Sequence, residues 1–515
     1  MTTSIFNASA VPALREKSTE LAEAGPVTTE STRRRHTLAS RMAFLTVCTG
    51  IVTTTLAYGA VHYWALAIFA SSAAGLVFFW CLDGIILRSI QFNRNALQLP
   101  LLGLILVGLI QLLPLGAAAP DAGLSLSLSR AISLDPYATR LVLVQVVSLF
   151  IYFAATLIFT DSPSRLRALT RTIIIFGFVL AMFGLTQSFT TDGTRVYWFR
   201  QLAQSTAFGP FINRHHFAGY MELCIAMPLG LLFSGAIESY KRPVYAFAAT
   251  LMGVALIVTN SRGGIISLVA EILFLVVIAG PGGQTSSAGQ KGRVLKAVLL
   301  RAAMAAGLAV MLFVGAMALG GPGVFSRLLG TVNAEDPTTG RAHFWKITLE
   351  IIQNHPIIGS GLGSLGVIYP RFDSGNGLYR LEQAHNDYLQ ILSDAGIVGG
   401  LLGLGFIVIL FRRGFARRNT DDKFRRGVAT GALAGCFAVL VHSAFDFTLH
   451  TTANALLFLV LAAMATLDRR VDKSTGVRRR RRRRRSQLQD ELPEGSITNM
   501  PVVEASQPAA LPAKS

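Results

Sequence analysis

Repeated apolar runs, each near the length of about twenty residues that a helix needs to cross a bilayer, are the feature that most constrains this chain. They begin at about 42–60 and recur until about 452–467. The mean hydropathy is +0.50 and only 15% of the residues are charged, which is more apolar than an ordinary soluble domain. We therefore predict an all-α, polytopic membrane protein.

Twelve runs satisfy this pattern, and basic residues concentrate in alternate gaps between them. In chain order the predicted spans are about 42–60, 64–86, 99–115, 139–160, 173–189, 215–233, 244–258, 264–279, 302–319, 396–411, 428–444 and 452–467. Because cytoplasmic gaps carry the excess of arginine and lysine, this alternation places both termini in the cytoplasm. The longest hydrophilic insertion, 321–395, is then extracytoplasmic, and we expect it to contain short helices.

These features divide the chain into four parts. Residues 1–41 are predicted to be a cytoplasmic tail, and 42–207 an N-terminal transmembrane bundle. Residues 208–467 form a second membrane domain that includes the insertion. Residues 468–515 are a basic cytoplasmic tail whose composition predicts disorder.

The net charge of +19 has an explanation in membrane topology. Much of it lies in short gaps between spans and in a run of eight arginines, Arg478–Arg485. We therefore expect no nucleic-acid partner. The arginine run is instead expected to bind anionic lipids of the inner leaflet, at about 1 kcal/mol per basic residue near the surface.

One polar stretch, just before the tenth predicted span, is the first candidate for chemistry. Its polar residues are Glu382, His385, Asn386, Asp387, Gln390 and Asp394. Apolar side chains from 388 to 392 recur at helical spacing. The spacing predicts that His385 opens an amphipathic helix at the edge of the membrane.

Three further motifs lie on the same predicted face, and each contains an arginine. They are Asn213-Arg214-His215-His216, Ser261-Arg262-Gly263-Gly264 and Gly340-Arg341-Ala342. The planar, permanently charged guanidinium group suits a phosphate better than a lysine does. Residue type alone favours the other interpretation of Arg262, that it extends to lipid headgroups, as arginines at membrane edges commonly do.

In combination, these motifs resemble the O-antigen ligase and polymerase superfamily. The resemblance rests on Asn-Ser-Arg-Gly-Gly at 260–264, Gly-Arg at 340–341, and His-Asn-Asp-Tyr-Leu-Gln at 385–390 before Gly-Ile-Val-Gly-Gly. It extends to 211–220 and to His-Ser-Ala-Phe-Asp-Phe at 442–447, so that 208–467 is expected to be an O-antigen ligase-like membrane domain. Members of the superfamily transfer glycans from a polyprenyl diphosphate carrier to a lipid, glycan or protein acceptor. They do so on the outer face of the bacterial inner membrane, generally without a metal.

The resemblance implies roles for three residues. Arg262 and Arg341 would bind the diphosphate, whose negative charge develops as the bond to the sugar breaks. His385 would act as the base that accepts the proton of the attacking acceptor, because an imidazole titrates close to neutral pH. Direct displacement at the anomeric carbon would invert its configuration. No cofactor is implied.

The roles of the neighbouring residues stay open at the sequence level. Glu382, Asn386 or Asp387 could orient the imidazole, whereas Asn386 and Asp387 are equally expected as helix-capping residues. Arg214 could be a third phosphate contact, bind acidic sugars, or reach lipid headgroups. His215 and His216 are adjacent, which is poor geometry for chelating one metal, and we predict no metal site.

Two other functions are compatible with the sequence. A solute transporter would use Glu271, which falls near the middle of the eighth predicted span, where an ionisable group is costly. A non-catalytic subunit of a polysaccharide assembly complex would use 321–395 as a docking surface. Within the superfamily, ligase and polymerase share the same chemistry, so the motifs separate neither these two activities nor their sugars and acceptors. The stretch Gly359-Ser-Gly-Leu-Gly363 is predicted to be a turn and not a phosphate loop, because no strand precedes it.

Overall fold

The computed structural model describes residues 36–115, 131–191, 193–202, 206–279, 288–320, 341–373 and 381–468. The predicted N-terminal tail, except for its last residues, and the arginine run lie outside the described residues, as does most of the C-terminal tail. Parts of the insertion 321–395 also lie outside them.

Fourteen α-helices account for most of the described chain. They are α1 (Leu38–Leu56), α2 (Tyr63–Leu87), α3 (Gln98–Gln111), α4 (Pro136–Phe159), α5 (Pro163–Thr190), α6 (Arg214–Phe233), α7 (Arg242–Val258), α8 (Arg262–Ile278), α9 (Ala288–Gly320), α10 (Arg341–Asn354), α11 (Leu365–Ile368), α12 (Asp387–Arg418), α13 (Lys423–His442) and α14 (Thr452–Thr466). Four 3-10 helices connect them, at Tyr58–Ala60, Ser239–Lys241, Tyr369–Arg371 and Thr448–His450. The described strands are β1 (Arg195–Val196) and β2 (Arg200–Gln201), which pair antiparallel.

Each predicted span coincides with an apolar helix. Nine helices in the described ranges are long and apolar enough to cross a membrane, and α3 and α14 are shorter apolar helices. Helix α8 has 17 residues and covers the predicted eighth span. Helices α10 and α11 are the short helices expected within the insertion. The all-α, polytopic fold class is therefore confirmed.

Helix α6 is the most buried span, because all of its apolar window is covered by other parts of the protein. Glycines let α13 approach it closely. A Cβ atom on Gly230 of α6 would collide with the backbone of Gly431 of α13. The packing of these two helices places the start of α6 near the end of α13.

Helix α12 is interrupted where its apolar part begins. At Gly396 the backbone has φ +62° and ψ −161°, which only glycine adopts readily, and a Cβ atom there would collide with the carbonyl of Ile357. The residues before Gly396 form the predicted amphipathic segment, and those after it form the apolar span. The helix begins at Asp387, so His385 precedes it, whereas the spacing predicted that His385 would open it.

Candidate functional site

The centre of the candidate site is the buried carboxylate of Asp446, in the loop that follows α13. The side chain of Asp446 is 1% exposed. Its Oδ1 lies 3.2 Å from Nδ1 of His385, and its Oδ2 lies 3.3 Å from Nη2 of Arg341. The same Oδ2 is 3.9 Å from Nδ1 of His215. One carboxylate thus brings together three segments that are far apart in the sequence.

Asp446 is held in its ionised form. Burial raises the pKa of this carboxyl, but the hydrogen bond from His385 and the charges of His215 and Arg341 outweigh burial. The net effect sets the pKa of Asp446 well below its ordinary value. A permanent negative charge beside Nδ1 of His385 favours the tautomer that carries its proton on that nitrogen.

His385 is fixed by its backbone as well as by Asp446. Its φ of +51° is rare for a residue other than glycine, and the segment after it is fastened to the loop that follows α13. Asn386 donates from Nδ2 to the carbonyl of Ala444 at 3.1 Å, and the amide of Asp387 donates to the carbonyl of Ser443 at 2.9 Å. The imidazole remains 27% exposed, and its Nε2 makes no hydrogen bond to any described residue. The nitrogen opposite Asp446 is therefore available to a substrate.

Arg341 stands at the beginning of the described part of α10. One of its guanidinium nitrogens donates to the carbonyl of Phe445, and the other to Asp446. The side chain is 20% exposed. The loop that positions His385 therefore positions this arginine too.

Arg262 is the first residue of α8, and its neighbours on both sides pack at the site. Ser261 caps the helix by accepting from the amide of Gly264 at 3.2 Å, and its Oγ lies 2.8 Å from Nδ1 of His215. A Cβ atom on Gly263 would lie 2.8 Å from the ring of His442, so the first turn of α8 rests against the end of α13. The side chain of Arg262 is exposed.

Arg214 is likewise the first residue of its helix, α6, and it immediately precedes His215. Asn213 caps this helix by accepting from the amide of His215 at 2.9 Å. The amide of Arg214 donates to the carbonyl of Thr206 at 2.9 Å. The half-buried Arg214 thus starts α6 where His215 meets Asp446.

The structure gives the polar neighbours of His385 other hydrogen-bond partners. Asn386 caps α12 by accepting from the amides of Tyr388 and Leu389 at 3.0 and 3.1 Å. Asp387 accepts from three groups of the 443–450 segment, described below. The carboxylate that bonds to the imidazole of His385 is Asp446 instead. Glu382 is exposed.

Asp387 forms a second histidine pair, with His450. Its Oδ1 lies 2.7 Å from Nδ1 of His450, and its Oδ2 accepts from Ser443 Oγ at 2.7 Å and from the amide of Leu449 at 3.1 Å. Burial lowers the pKa of His450, but the hydrogen bond that its Nδ1 donates to Asp387 and the charges of Asp387 and Asp394 outweigh burial and raise the pKa overall.

An apolar cavity of about 560 Å³ begins beside this second pair. It lies among α3, α4, α12 and α14, and its polar lining includes Asp387, Asp394 and His450. The rest of the wall is largely aliphatic, with Leu104, Val146 and Leu402 among its residues. Its composition suits a hydrocarbon chain.

The glycine-rich stretch Gly359–Gly363 is a turn, as predicted, and it packs against Asp394. The amide of Gly363 donates to Oδ2 of Asp394 at 3.0 Å, and that of Gly361 to its carbonyl at 3.2 Å. Gly359, Gly361 and Gly363 all have positive φ. These contacts support the start of α12.

Sequence reasoning assigned no role to Asp446 or to the hydroxyl of Ser261, and it considered His215 only as a metal ligand, a role that it rejected. Asp446 belongs to a motif that resembles the superfamily, yet nothing local indicates its partners. Within the described ranges, no group of three or more His, Cys, Asp or Glu side chains could hold a metal ion.

Comparisons with known proteins identify the relatives of this chain. Residues 247–404 match the family described as O-antigen ligase, and this range contains Arg262, Arg341 and His385. A curated O-antigen ligase of Pseudomonas aeruginosa is 25% identical over 278 residues, which are 52% of this chain and 56% of that protein. The match therefore spans little more than half the length of this relative. Together the two findings confirm the resemblance to the O-antigen ligase superfamily that the motifs predicted.

Proposed function

We propose that this protein is an integral-membrane glycosyltransferase of the O-antigen ligase or polymerase type. It moves a glycan from a polyprenyl diphosphate carrier to an acceptor group at the outer face of the bacterial inner membrane. The observation that carries the proposal is the convergence of His385 and Arg341 on the single buried carboxylate of Asp446. A base and a phosphate-binding cation are thereby held side by side.

His385 is the general base. As the acceptor oxygen attacks the anomeric carbon, Nε2 of His385 takes its proton, and the bond from that carbon to the diphosphate oxygen breaks. Asp446 holds Nδ1 and stabilises the imidazolium that forms, as the carboxylate does in a serine protease triad. A single displacement of this kind inverts the anomeric carbon.

The diphosphate leaves with its charge neutralised by arginines. Arg262 and Arg341 are permanently charged and have planar forks that fit phosphate oxygens. Arg262 and Arg214 also open helices whose first amides carry partial positive charge, which favours an anion at these positions. Because diphosphate is a good leaving group, no strong general acid is required.

The surroundings of the site suit lipid-linked substrates. The apolar spans begin within a few turns of His385, and the cavity of about 560 Å³ provides room for a hydrocarbon chain. The proposed orientation, with both termini cytoplasmic, puts His385 where an exported lipid-linked glycan is available. The acceptor is a lipid or a glycan, and anionic lipids would bind the arginine run 478–485.

Transfer by purified protein tests the proposal. Protein in lipid nanodiscs, given a polyprenyl diphosphate glycan and a candidate acceptor, is expected to form the new linkage. His385→Ala and Arg262→Ala should each stop it. His343→Ala is the matched control, because this histidine on α10 is 44% exposed and pairs with Asp373 instead. Undiminished transfer by both site variants would refute the mechanism.

One observation favours the transporter as a second candidate. Glu271 on α8 is fully buried, and neither of its carboxyl oxygens has a hydrogen-bond partner among the described residues. Solute uptake by reconstituted protein that is abolished by Glu271→Gln, but not by His385→Ala, would establish that function.

The surface glycans of a strain lacking the protein distinguish ligase from polymerase. Uncapped lipid core with accumulating lipid-linked polymer would indicate a ligase. Single repeat units would indicate a polymerase.

A further inference from the structure

We propose that Glu222 and His442 form a buried positioning pair, which fixes the ends of α6, α8 and α13 beneath the candidate site. Neither residue touches the proposed substrates. The pair acts through Arg262 and Asp446, the two groups whose backbones it holds. Its role in transfer rests on the proposed function, whereas its role in holding the helix ends does not.

The pair joins α6 to α13 inside the bundle. Nδ1 of His442 lies 2.7 Å from Oε1 of Glu222, and both side chains are 0% exposed. Glu222 lies about two helical turns below His215 on the same helix. His442 is the last residue of α13. The hydrogen bond therefore sets the height and rotation of the end of α13 relative to the middle of α6.

The ring of His442 also supports the first turn of α8. A Cβ atom on Gly263 would lie 2.8 Å from Cδ2 and 3.0 Å from Nε2 of this ring, and 3.1 Å from Cβ of Phe445. The glycine is required because the backbone of α8 approaches the ring directly. Since Arg262 immediately precedes Gly263, a displacement of the ring would displace the arginine.

The backbone of His442 begins the turn that presents Asp446. Its carbonyl accepts from the amide of Phe445 at 2.8 Å and from that of Asp446 at 3.0 Å. The carbonyl of Phe445 in turn binds Arg341. A rotation of His442 would therefore move both the carboxylate of Asp446 and Arg341, which that carboxylate binds.

If the hydrogen bond between Glu222 and His442 is lost, no other described residue is placed to replace it. Nε2 of His442 and Oε2 of Glu222 are buried and have no hydrogen-bond partner in the part of the chain that the structure describes. A buried polar group that loses its partner bears the full cost of its desolvation. Removing one member should therefore cause the other to move, and the helix ends with it.

Two substitutions at Glu222 test the pair. Glu222→Gln keeps an oxygen that accepts from Nδ1 of His442, whereas Glu222→Leu removes it. In Glu222→Leu we expect faster hydrogen–deuterium exchange in the first turn of α8 and in 443–447, and a rise of about tenfold in the KM for the lipid diphosphate donor. Glu222→Gln should restore both to nearly the wild-type values. Asp83→Asn, a change of another buried carboxyl, on α2, is the control and should alter neither.

A second pair of variants applies if Glu222→Leu does not fold. His442→Asn keeps a donor near the position of Nδ1 and removes the ring edge beneath Gly263, while Gly263→Ala forces the ring away. Both should raise the donor KM with a smaller change in kcat.

The results separate this inference from the proposed function. Wild-type protein that transfers no glycan would count against the function alone, because exchange in α8 and 443–447 still tests the pair. Unchanged exchange in Glu222→Leu or His442→Asn, whichever folds, would overturn the positioning role. So would a KM that stays at the wild-type value in a protein that transfers glycan.

Discussion

Two histidine–aspartate pairs lie side by side, and the same two segments supply both. Asp387 is the first residue of α12 and His385 lies just before that helix, while Asp446 and His450 come from the loop before α14. His385 pairs with Asp446 at 3.2 Å, and Asp387 pairs with His450 at 2.7 Å. In each pair a carboxylate oxygen faces Nδ1 of the imidazole.

The pairs differ in what else their carboxylates hold. Asp446 binds Arg341 and lies near His215, so it holds a cation and a second imidazole beside His385. Asp387 instead accepts hydrogen bonds from the hydroxyl of Ser443 and the amide of Leu449, so it holds the start of α12 to the loop between α13 and α14. A histidine beside an aspartate therefore does not by itself define a catalytic site. Under the proposed function, the contact with Arg341 distinguishes the pair that we propose to be catalytic from the pair that fastens the chain.

Loss of the base should have the largest effect. His385→Ala removes the proton acceptor, and we expect the transfer rate to fall by about 10³-fold, within the usual range for general-base catalysis. The rate is measured on purified protein at saturating donor, with His343→Ala beside it. Retention of more than about a tenth of the wild-type rate would exclude His385 as the base.

Replacement of Arg341 by lysine should have the next largest effect. Lysine keeps the charge but cannot donate in two directions to Asp446 and the carbonyl of Phe445 while facing a phosphate. We expect kcat/KM to fall by about 10²-fold. The control is Arg371→Lys, at an exposed arginine of the same insertion. Equal activity of the two variants would show that charge alone suffices at position 341.

The smallest predicted effect concerns stability and the second pair. The pKa of His450 is raised above its ordinary value of 6.5, so the charged pair with Asp387 stabilises the fold fully below pH 6.5. This contribution is lost as the pH rises through the higher pKa of the folded state. We expect His450→Phe to lower the melting temperature by about 2 °C at pH 6, and by less at pH 9. A deficit that grows with pH would contradict the assignment.

The fold was largely predictable, because apolar runs of membrane-spanning length leave few alternatives. The twelve predicted spans coincide in order with apolar helices, and the polar segment before Gly396 is helical as its spacing predicted. The start of α12 was less predictable. It is set by the cap of Asn386 and by contacts with the loop after α13, and both depend on tertiary packing.

The site was predictable only in part. His385, Arg262 and Arg341 are recognisable because they lie in short motifs at the ends of apolar runs. Asp446 lies 61 residues from His385 in the sequence, and no periodicity links them. Their contact exists because α13 packs between α6 and α12. The contact between Asp387 and His450 also depends on tertiary packing. From its local position, Asp387 could therefore be predicted equally well as a helix cap or as a group that orients the imidazole of His385.

The most direct test of the account compares Asp446→Asn with Asp387→Asn, each assayed for transfer per amount of folded protein. Both changes remove one negative charge beside one histidine, but Asp446→Asn also weakens the contact with Arg341, whereas Asp387→Asn weakens the contacts with Ser443 and Leu449. We predict that Asp446→Asn lowers kcat/KM by about 10²-fold, whereas Asp387→Asn stays within about threefold of the wild type and loses thermal stability instead. The reverse result, with transfer lost in Asp387→Asn and retained in Asp446→Asn, would contradict the central claim that His385 and Asp446 form the catalytic pair.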